Sequence, residues 1–322
     1  MNRKFWKDKR VLITGHEGFL GSWMVKTLNG SGAIITGVDI VKNRRGSILS
    51  FCEREKIKGV KGDIADFKSM KKIIDKHKPQ IIFHLAAEAI VARANKSPLR
   101  TFKSNIQGTW NILEIARSNK SIQAIVMASS DKAYGSHKIL PYTEEAALKG
   151  KHPYDVSKSC ADLIGCTYAY TYGVPVATTR CGNIYGPGDY NFSRIVPDAI
   201  RCVLKGEKLL IRSDGKFTRD YVYVEDIVNG YILLAEKLKK LNLSGEAFNF
   251  SDEHPISVLE LVGKIYKQAN KIPSYQIQSR AKYEIKHQYL SSRKARKVLG
   301  WKPKYSLTMG LKNALDWYSS IF

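Results

Sequence analysis

Tyr154 and Lys158 are the pair of residues whose types and spacing point most directly to chemistry. They lie in a helical pattern that starts after Pro153, and a separation of four residues puts both side chains on one helix face. An ammonium beside a phenol lowers the pKa of the phenol, so Tyr154 is a candidate base that takes a hydroxyl proton while hydride leaves the same carbon. The alternative is an exposed pair, because this spacing also arises by chance.

A second group of reactive side chains follows the apolar run at residues 124–128. Ser130, Asp131 and Lys132 place a hydroxyl, a carboxylate and an ammonium in consecutive positions, which offers a hydrogen-bond donor, an acid and a base. In an open α/β sheet, ligands bind at the carboxyl ends of the strands. The alternative is a capped turn, because Ser-Ser-Asp is also common turn chemistry.

Three glycines near the amino terminus predict a dinucleotide site. Gly15, Gly18 and Gly21 follow a β-branched run and open a helical pattern with the spacing G-x-x-G-x-x-G. Such glycines allow a tight turn, a close approach of the backbone to a pyrophosphate, and close helix packing. The helix N-terminus adds free N–H groups and a positive dipole. A plain turn between a strand and a helix is the alternative.

Asp39 ends the second predicted strand, where a carboxylate binds the adenosine ribose of a dinucleotide. Its negative charge favours NAD, because it would repel the 2′-phosphate of NADP. Arg44 and Arg45 lie a few residues further on and leave NADP open. Asp39 is otherwise a turn residue at the end of a strand.

The elements that must position these groups alternate between strand and helix patterns. Strands are predicted at residues 10–14, 33–39, 81–85, 124–128 and 175–179, with helical patterns between them and one long helical pattern over 102–115. This alternation predicts an α/β fold with a parallel, doubly wound sheet. After Arg180 the pattern weakens, although Ser257 and Glu260 indicate a capping box and Gly300 a helix end.

Composition narrows the class of protein. The 322 residues are 43% hydrophobic and contain no apolar run near the ~20 residues that span a bilayer, so we expect no membrane association. The five cysteines form no C-x-x-C pair and the amino terminus lacks a signal peptide, which indicates a cytoplasmic protein. The net charge of +24 indicates either a phosphate-rich partner or simply a solvated basic surface, and we favour the surface.

The ordered motifs resemble those of the extended short-chain dehydrogenase/reductase superfamily. They include Gly62–Asp63–Ile64, His84 to Ala87, Asn105, and the segments 180–187, 219–226 and 299–303, besides the residues above. The resemblance covers nearly the whole chain. It implies a Rossmann-type NAD-binding domain over residues 1–180, with a return segment near 217–240, and a smaller α/β domain over 181–322 that binds a nucleotide sugar.

The resemblance and the glycine motif together predict which residues bind the cofactor and which bind the substrate. His84, in its apolar strand, is expected to be structural. No ligand-spaced histidine cluster indicates a metal, and we expect a homodimer through the two long helices of the first domain and no nucleic-acid partner. Asn183 is a candidate to bind the substrate. Arg194, Arg212 and Arg219 are candidates for the substrate diphosphate, with a solvated surface arginine as the alternative for each. The cofactor NAD is expected to contact Gly15, Gly18, Phe19, Leu20, Gly21, Asp39, Asp63, Ile64, Leu85, Ala86, Ala87, Asn105, Tyr154 and Lys158.

Residues 131 and 132 separate the subfamilies. Nucleotide-sugar 4,6-dehydratases are similar to this chain in having Asp after the catalytic Ser or Thr, whereas 4-epimerases usually carry small residues there. The pair Asp131–Lys132 resembles the CDP-glucose 4,6-dehydratases and the inverting UDP-N-acetylglucosamine 4,6-dehydratases, and residues 5–23 resemble the CDP-glucose group in particular. The short segment 136–152 is more like that of the epimerases.

The resemblance implies a lyase that recycles its cofactor. Tyr154, with Lys158 and Ser130, takes the 4-OH proton while C4 gives hydride to NAD. Lys132 is the candidate to remove the C5 hydrogen, which requires a lowered pKa, and Asp131 protonates the departing 6-OH. A 4-epimerase using the same Tyr, Ser and Lys is the alternative, and a non-catalytic regulator that binds a dinucleotide or nucleic acid is a different class suggested only by charge.

Overall fold

The structure, a computed structural model, describes residues 1–44, 46–280 and 284–322, so Arg45 lies outside the described residues. Its centre is a seven-stranded sheet in the order β11-β6-β5-β4-β1-β2-β3, in which every neighbouring pair is parallel. The strands are β1 (Arg10–Thr14), β2 (Ile34–Asp39), β3 (Lys58–Lys61), β4 (Ile81–His84), β5 (Ala124–Ala128), β6 (Val176–Cys181), β7 (Asn183–Tyr185), β8 (Leu209–Ile211), β9 (Thr218–Arg219), β10 (Tyr221–Tyr223), β11 (Ala247–Phe250), β12 (Ile256–Ser257), β13 (Tyr275–Ile277) and β14 (His287–Gln288).

Helices cover both faces of the sheet, which confirms the predicted doubly wound α/β fold. They are α1 (Arg3–Trp6), α2 (Phe19–Asn29), α3 (Phe51–Glu55), α4 (Phe67–His77), α5 (Val91–Lys96), α6 (Pro98–Phe102), α7 (Gly108–Arg117), α8 (Pro153–Tyr172), α9 (Ile195–Lys205), α10 (Val224–Lys237), α11 (Val258–Gln268) and α12 (Leu307–Ser319). None of the helices in the described part of the chain is long and apolar enough to cross a membrane.

The apolar strands divide their side chains between two cores because successive side chains of a strand point to opposite faces. Val11 and Ile13 of β1 pack with α2 and α10 on one face. Leu12 of β1 and Ile82 of β4 pack with α4, α7 and α8 on the other. Strands buried on both faces read as continuous apolar runs, which is why the sequence predicts them well.

Two strands of the sheet were not predicted. The edge strand β3 is a Lys-Gly-Val-Lys segment without an apolar run, and it is partly exposed. The other edge strand, β11, pairs with β6 and carries the buried Phe248 and Phe250. It lies beyond the return segment near 217–240, and the division of the chain at residue 180 stays a prediction.

The long helical pattern over 102–115 is interrupted in the structure. Between α6 and α7, residues Lys103–Gln107 form a π-helical turn. The side chain of Asn105 in this turn binds the backbone of Glu88 and the Ser157 hydroxyl of α8. One extra residue in the turn is typical of π-bulges, which lie frequently at functional sites.

A third core lies beside the sheet and holds the carboxyl-terminal elements. The helices α9, α11 and α12 pack around Tyr185, Tyr221 and Tyr223 of the short strands β7 and β10. Ser257 and Glu260 form the predicted capping box of α11. Gly300 ends the π-helical turn Ala295–Leu299 in the left-handed conformation, which confirms the predicted helix end.

Candidate active site

A cavity of about 790 Å³ opens at the carboxyl ends of the central strands and extends into the third core. Parallel strands bring their carboxyl ends to one edge of the sheet, so side chains that are far apart in the sequence meet there. The predicted site residues that line it are Gly15, Gly18, Phe19, Leu20, Gly21, Asp39, Asp63, Ile64, Leu85, Ala86, Ala87, Ser130, Asp131, Lys132, Tyr154, Lys158, Asn183, Arg194, Arg212 and Arg219.

The glycine turn leaves no room for side chains at two of its positions. Gly15 has φ +72°, and a Cβ there would lie 2.9 Å from the backbone of Ala86. A Cβ on Gly21 would lie 2.0 Å from the Gly15 carbonyl oxygen. Gly18 is the N-cap of α2 and provides no side chain to cap the helix, so the first N–H groups are available to a phosphate. This cradle fits a dinucleotide pyrophosphate.

Asp39 is held at the cavity by backbone donors. Its two carboxylate oxygens accept hydrogen bonds from the Glu17 N–H at 3.1 Å and the Val41 N–H at 3.0 Å. The Arg44 guanidinium lies 3.8 Å from the same carboxylate. Each carboxylate oxygen has a second lone pair, so Asp39 can still accept hydrogen bonds from ribose hydroxyls.

Glu17 is a buried residue of this region that the sequence analysis missed. Two hydrogen bonds of 3.0 Å from Arg54 reach its carboxylate, which also accepts the backbone N–H groups of Asn43 and Arg44. Burial by itself raises the pKa of Glu17, but the hydrogen bonds and charge of Arg54, together with the Arg44 N–H and His16, outweigh it and the pKa is lowered. The Glu17–Arg54 pair therefore fixes the chain that follows Asp39.

His84 is structural, as predicted. Its Nε2 lies 3.2 Å from the Thr109 hydroxyl, which already donates to the Asn105 carbonyl, so Nε2 carries the proton. Its Nδ1 accepts from the Thr14 hydroxyl at 2.9 Å, and that oxygen accepts the N–H groups of Leu85 and Ala86. Burial lowers the pKa of His84 to about 3, so the ring stays neutral.

Asn105 is the predicted cofactor residue that does not line the cavity. It is 2% exposed, and its amide donates to the Glu88 carbonyl at 3.1 Å and accepts the Glu88 N–H at 2.7 Å. The π-helical turn directs this side chain toward the loop that follows β4 and contains Glu88. Asn105 therefore holds the backbone of Glu88, and Glu88 lines the cavity.

The net pKa shift of Tyr154 is opposite to the lowering expected from Lys158, because burial outweighs the nearby positive charge. Burial raises the pKa of Tyr154 to about 12, against smaller lowering contributions from its hydrogen bond with Ser130 and from Arg194. The Lys158 ammonium donates to the Ala128 carbonyl at 2.8 Å and lies 6.0 Å from the centre of the Tyr154 ring. Burial also lowers the pKa of Lys158 to about 8. Sequence spacing does not reveal desolvation, and desolvation decides both values.

Asp131 and Lys132 form a 3₁₀ turn at the cavity wall. Ser130 caps this turn, because its hydroxyl oxygen accepts the Lys132 N–H at 3.2 Å while the hydroxyl donates to Asp131 Oδ1 at 3.0 Å. Asp131 is 3% exposed, and its Oδ2 has no hydrogen-bond partner among the described residues. Burial lowers the pKa of Lys132, as the expected role of a base requires.

Two polar residues beside this turn were not predicted. Asp155, in the first turn of α8, lines the cavity, and burial raises its pKa while the charge of Lys132 lowers it. Its position next to Tyr154 was an available signal. Gln288 contacts both Asp131 and Lys132 from the far end of the chain, and no local pattern indicates this contact.

The candidate substrate arginines differ in how many donors they have free. Arg219 is 8% exposed and binds the carbonyl oxygens of Thr218, Ile285 and Lys286. Arg194 pairs with the Asp189 carboxylate at 3.1 Å, and its side chain is 41% exposed.

The other two substrate candidates also retain donors. Arg212 donates to the Ser193 carbonyl at 2.7 Å, and the Asn183 amide donates to the Asp220 carbonyl at 3.3 Å. Arg194 and Arg212 therefore keep more N–H groups for an anion than Arg219 does.

A family model described as GDP-mannose 4,6 dehydratase matches residues 12–314. The chain is 30% identical to CDP-glucose 4,6-dehydratase of Salmonella typhimurium, over 99% of this chain and 93% of that protein.

Solved structures of a 4-epimerase and of a 4,6-dehydratase are both similar to the structure of this chain. UDP-glucose 4-epimerase of Thermotoga maritima, with UDP-glucose, has a TM-score of 0.89 and 30% identity, covering 97% of this chain and 99% of that one. The dTDP-glucose 4,6-dehydratase of Bacillus anthracis, in complex with NAD, has a TM-score of 0.86 and 28% identity, covering 97% of each chain. The fold thus resembles those of dehydratases and epimerases alike.

Proposed function

The chain belongs to the GDP-mannose 4,6-dehydratase family, and from this premise we propose that it is an NAD-dependent nucleotide-sugar 4,6-dehydratase. It converts an NDP-hexose into an NDP-4-keto-6-deoxyhexose and water. The observation that carries the proposal is the buried Asp131 carboxylate, whose Oδ2 has no partner in the described part of the chain and which lies next to Lys132 at the cavity. Besides Tyr154, elimination of water needs an acid at C6 and a base at C5, whereas epimerisation at C4 needs neither of these additional groups.

NAD is the cofactor, and when bound it accepts hydride from C4 of the sugar and returns it to C6. Tyr154 takes the proton of the 4-OH group, and Ser130 orients the phenol by a hydrogen bond. Because burial raises the pKa of Tyr154 to about 12, its action as a base depends on positive charge close to the phenol. Lys158 and Arg194 are two cations that lie near the phenol.

The 4-ketone acidifies the C5 hydrogen, and Lys132 Nζ takes it as a proton. Asp131 gives a proton to the 6-OH group as the C6–O bond breaks, so the leaving group is water instead of hydroxide. Lys132 returns its proton to C5 when hydride is added at C6. The proton gained by Tyr154 balances the proton given by Asp131, and the net change is the loss of one water.

We place a CDP-hexose first among the substrates. The support is the similarity to CDP-glucose 4,6-dehydratase and the amino-terminal resemblance, which includes Trp6 and Trp23. Both indoles have structural partners: Trp6 Nε1 donates to Glu236 at 2.6 Å, and Trp23 Nε1 donates to the Pro187 carbonyl at 2.7 Å. Arg194, Arg212 and Asn183 are our candidates to bind the diphosphate and the sugar.

A nucleotide-sugar 4-epimerase is the second candidate. The similarity to the T. maritima epimerase and the short segment 136–152 favour it. Incubation of the holoenzyme with CDP-, UDP-, dTDP- and GDP-hexoses, followed by mass spectrometry, separates the two. Dehydration lowers the product mass by one water, whereas an isomer of unchanged mass would overturn the dehydratase proposal.

We also propose that the enzyme is a homodimer that assembles through α7 and α8. Trp110 of α7 is 43% exposed and Leu163 of α8 is 57% exposed. Large apolar side chains on neighbouring helices are typical of an interaction surface. A cytoplasmic location is our proposal as well, and it is supported by five cysteines that are all free thiols.

A further inference from the structure

Gln288 lies in β14, a two-residue strand that pairs in parallel with β9, where Gln288 is opposite Arg219. It is 0% exposed, although it belongs to a short strand at the cavity wall. A buried amide needs hydrogen-bond partners, because leaving its polar atoms unpaired away from water is unfavourable. Its partners are the two candidate residues for the elimination.

One amide group contacts both residues of the pair. The Lys132 ammonium donates to Gln288 Oε1, and Gln288 Nε2 donates to the Asp131 carbonyl at 2.8 Å. The orientation of the amide is unambiguous, because an ammonium has only donors and a carbonyl oxygen only accepts. Gln288 thus fixes the tip of one side chain and the backbone of its neighbour at the same time.

We propose that Gln288 is a positioning residue that holds Lys132 Nζ toward C5 of the bound sugar and ties the 3₁₀ turn of Asp131 to the substrate-binding part of the chain. This inference rests on the proposed dehydratase function. The segment before Gln288 has a matching attachment, because the carbonyl oxygens of Ile285 and Lys286 accept from Arg219.

A lysine base needs such a partner for an entropic reason. Its long side chain loses rotamer freedom when it is fixed, and a displacement of about 1 Å from the reacting atom can cost ~10²-fold in rate. An acceptor bond to Gln288 restrains Nζ before the substrate arrives.

An amide also suits both protonation states of Lys132. The neutral amine keeps two N–H groups, so it can still donate to Gln288 Oε1 while its lone pair faces C5. A carboxylate at this position would instead stabilise the ammonium and lower the fraction of neutral amine that can take the C5 proton. The polar but uncharged side chain is therefore the one that restrains the base without inactivating it.

The charges around Lys132 oppose one another. Burial lowers its pKa and so does Arg219, whereas Asp131, Asp155 and Glu284 raise it. Gln288 adds an acceptor without adding a charge. Changing it should therefore move the pKa of Lys132 in a direction that depends on the replacement.

The test compares Gln288→Leu and Gln288→Glu with wild-type holoenzyme. Leu removes the acceptor, so the rising limb of kcat against pH should move to lower pH, and kcat should fall about 100-fold by loss of positioning. Glu adds a negative charge, so the same limb should move to higher pH. In both variants, substrate should still reduce the bound NAD, because C4 oxidation does not use Lys132, while exchange of the C5 hydrogen with deuterated water slows.

His287→Ala is the matched control, because it alters the same strand at an exposed side chain. Among the described residues, the His287 ring has its hydrogen bond with the Thr218 hydroxyl and not with Asp131 or Lys132. It should keep the wild-type pH profile. The role of Gln288 is overturned if its variants lose no more rate than His287→Ala, or if the rising limb stays at the wild-type pH in both Gln288 variants. The dehydratase function stands in either case. If the wild-type product is an isomer of unchanged mass, both proposals are overturned together, since no C5 proton is removed.

Discussion

The Lys158 ammonium lies 6.0 Å from the centre of the Tyr154 ring and donates its hydrogen bond to the Ala128 carbonyl, at 2.8 Å. The two side chains share a helix face, but the ammonium is directed at a strand end and not at the phenol. Tyr154 is 9% exposed, and burial raises its pKa to about 12. The phenol is therefore protonated in the protein alone near neutral pH.

Tyr154→Phe should lower kcat by about 10²–10⁴-fold, the usual contribution of a general base. Phe keeps the ring and its packing, so the thermal unfolding temperature and the NAD content should stay close to those of wild type. Turnover measured by mass spectrometry, with calorimetry as the check on folding, provides the comparison. A variant that retains most of its rate would show that Tyr154 is not the base.

Asp131→Asn should separate dehydration from epimerisation. The amide keeps the size of the side chain but delivers no proton, so the 6-OH group would have to leave as hydroxide. In a dehydratase, reduced nicotinamide should accumulate on the enzyme while the dehydrated product disappears, and absorbance and mass spectrometry follow the two. Interconversion of C4 epimers at the wild-type rate would contradict our assignment.

Gly18→Val should reduce the NAD that copurifies with the protein. A Cβ on Gly18 lies 3.1 Å from the Gly15 carbonyl, and the remaining Val atoms extend into the phosphate-binding turn. Gly263→Ala is the matched control, since its Cβ meets nothing within 4 Å in α11. The control should keep its NAD and gain about 0.5–1 kcal/mol in free energy of unfolding. Equal NAD contents in Gly18→Val and wild type would remove the basis for the glycine motif.

The free energy of unfolding should fall as the pH is lowered from 6.5 toward about 3. Burial lowers the pKa of His84 to about 3 from an ordinary value of 6.5, so within this range the unfolded chain binds a proton that the folded chain does not. His84→Asn should flatten this part of the pH dependence in urea titrations. His254→Asn, at an exposed position, should leave it unchanged. The same slope in wild type and His84→Asn would contradict the assignment.

Leu163→Arg should convert the dimer to a monomer in sedimentation experiments. The side chain is 57% exposed on α8, and a buried unpaired charge at an interface is strongly unfavourable. Ile139→Arg is the control, because Ile139 is 84% exposed and lies outside α7 and α8. If wild type sediments as a monomer, or if both variants remain dimers, the proposed interface is wrong.

The sequence alone determined the parts of the protein that local patterns encode. The runs that form β1, β4 and β5 are apolar because both faces of these strands are buried, and the glycines at 15 and 21 are required by a turn that spans a few residues. The spacing of Tyr154 and Lys158 follows from helix geometry. Parallel strands then bring these local motifs to one edge, so most of the predicted site residues line one cavity.

Only the tertiary structure decided the contacts between distant segments and the electrostatics of the site. Gln288 meets Lys132 across 156 positions, and Glu17 meets Arg54 across 37, with no periodic signal in either case. The direction of the Tyr154 pKa depends on how much water the folded chain removes from the phenol. Such contacts and burial arise from packing of elements that are remote in sequence, so residue spacing cannot predict them.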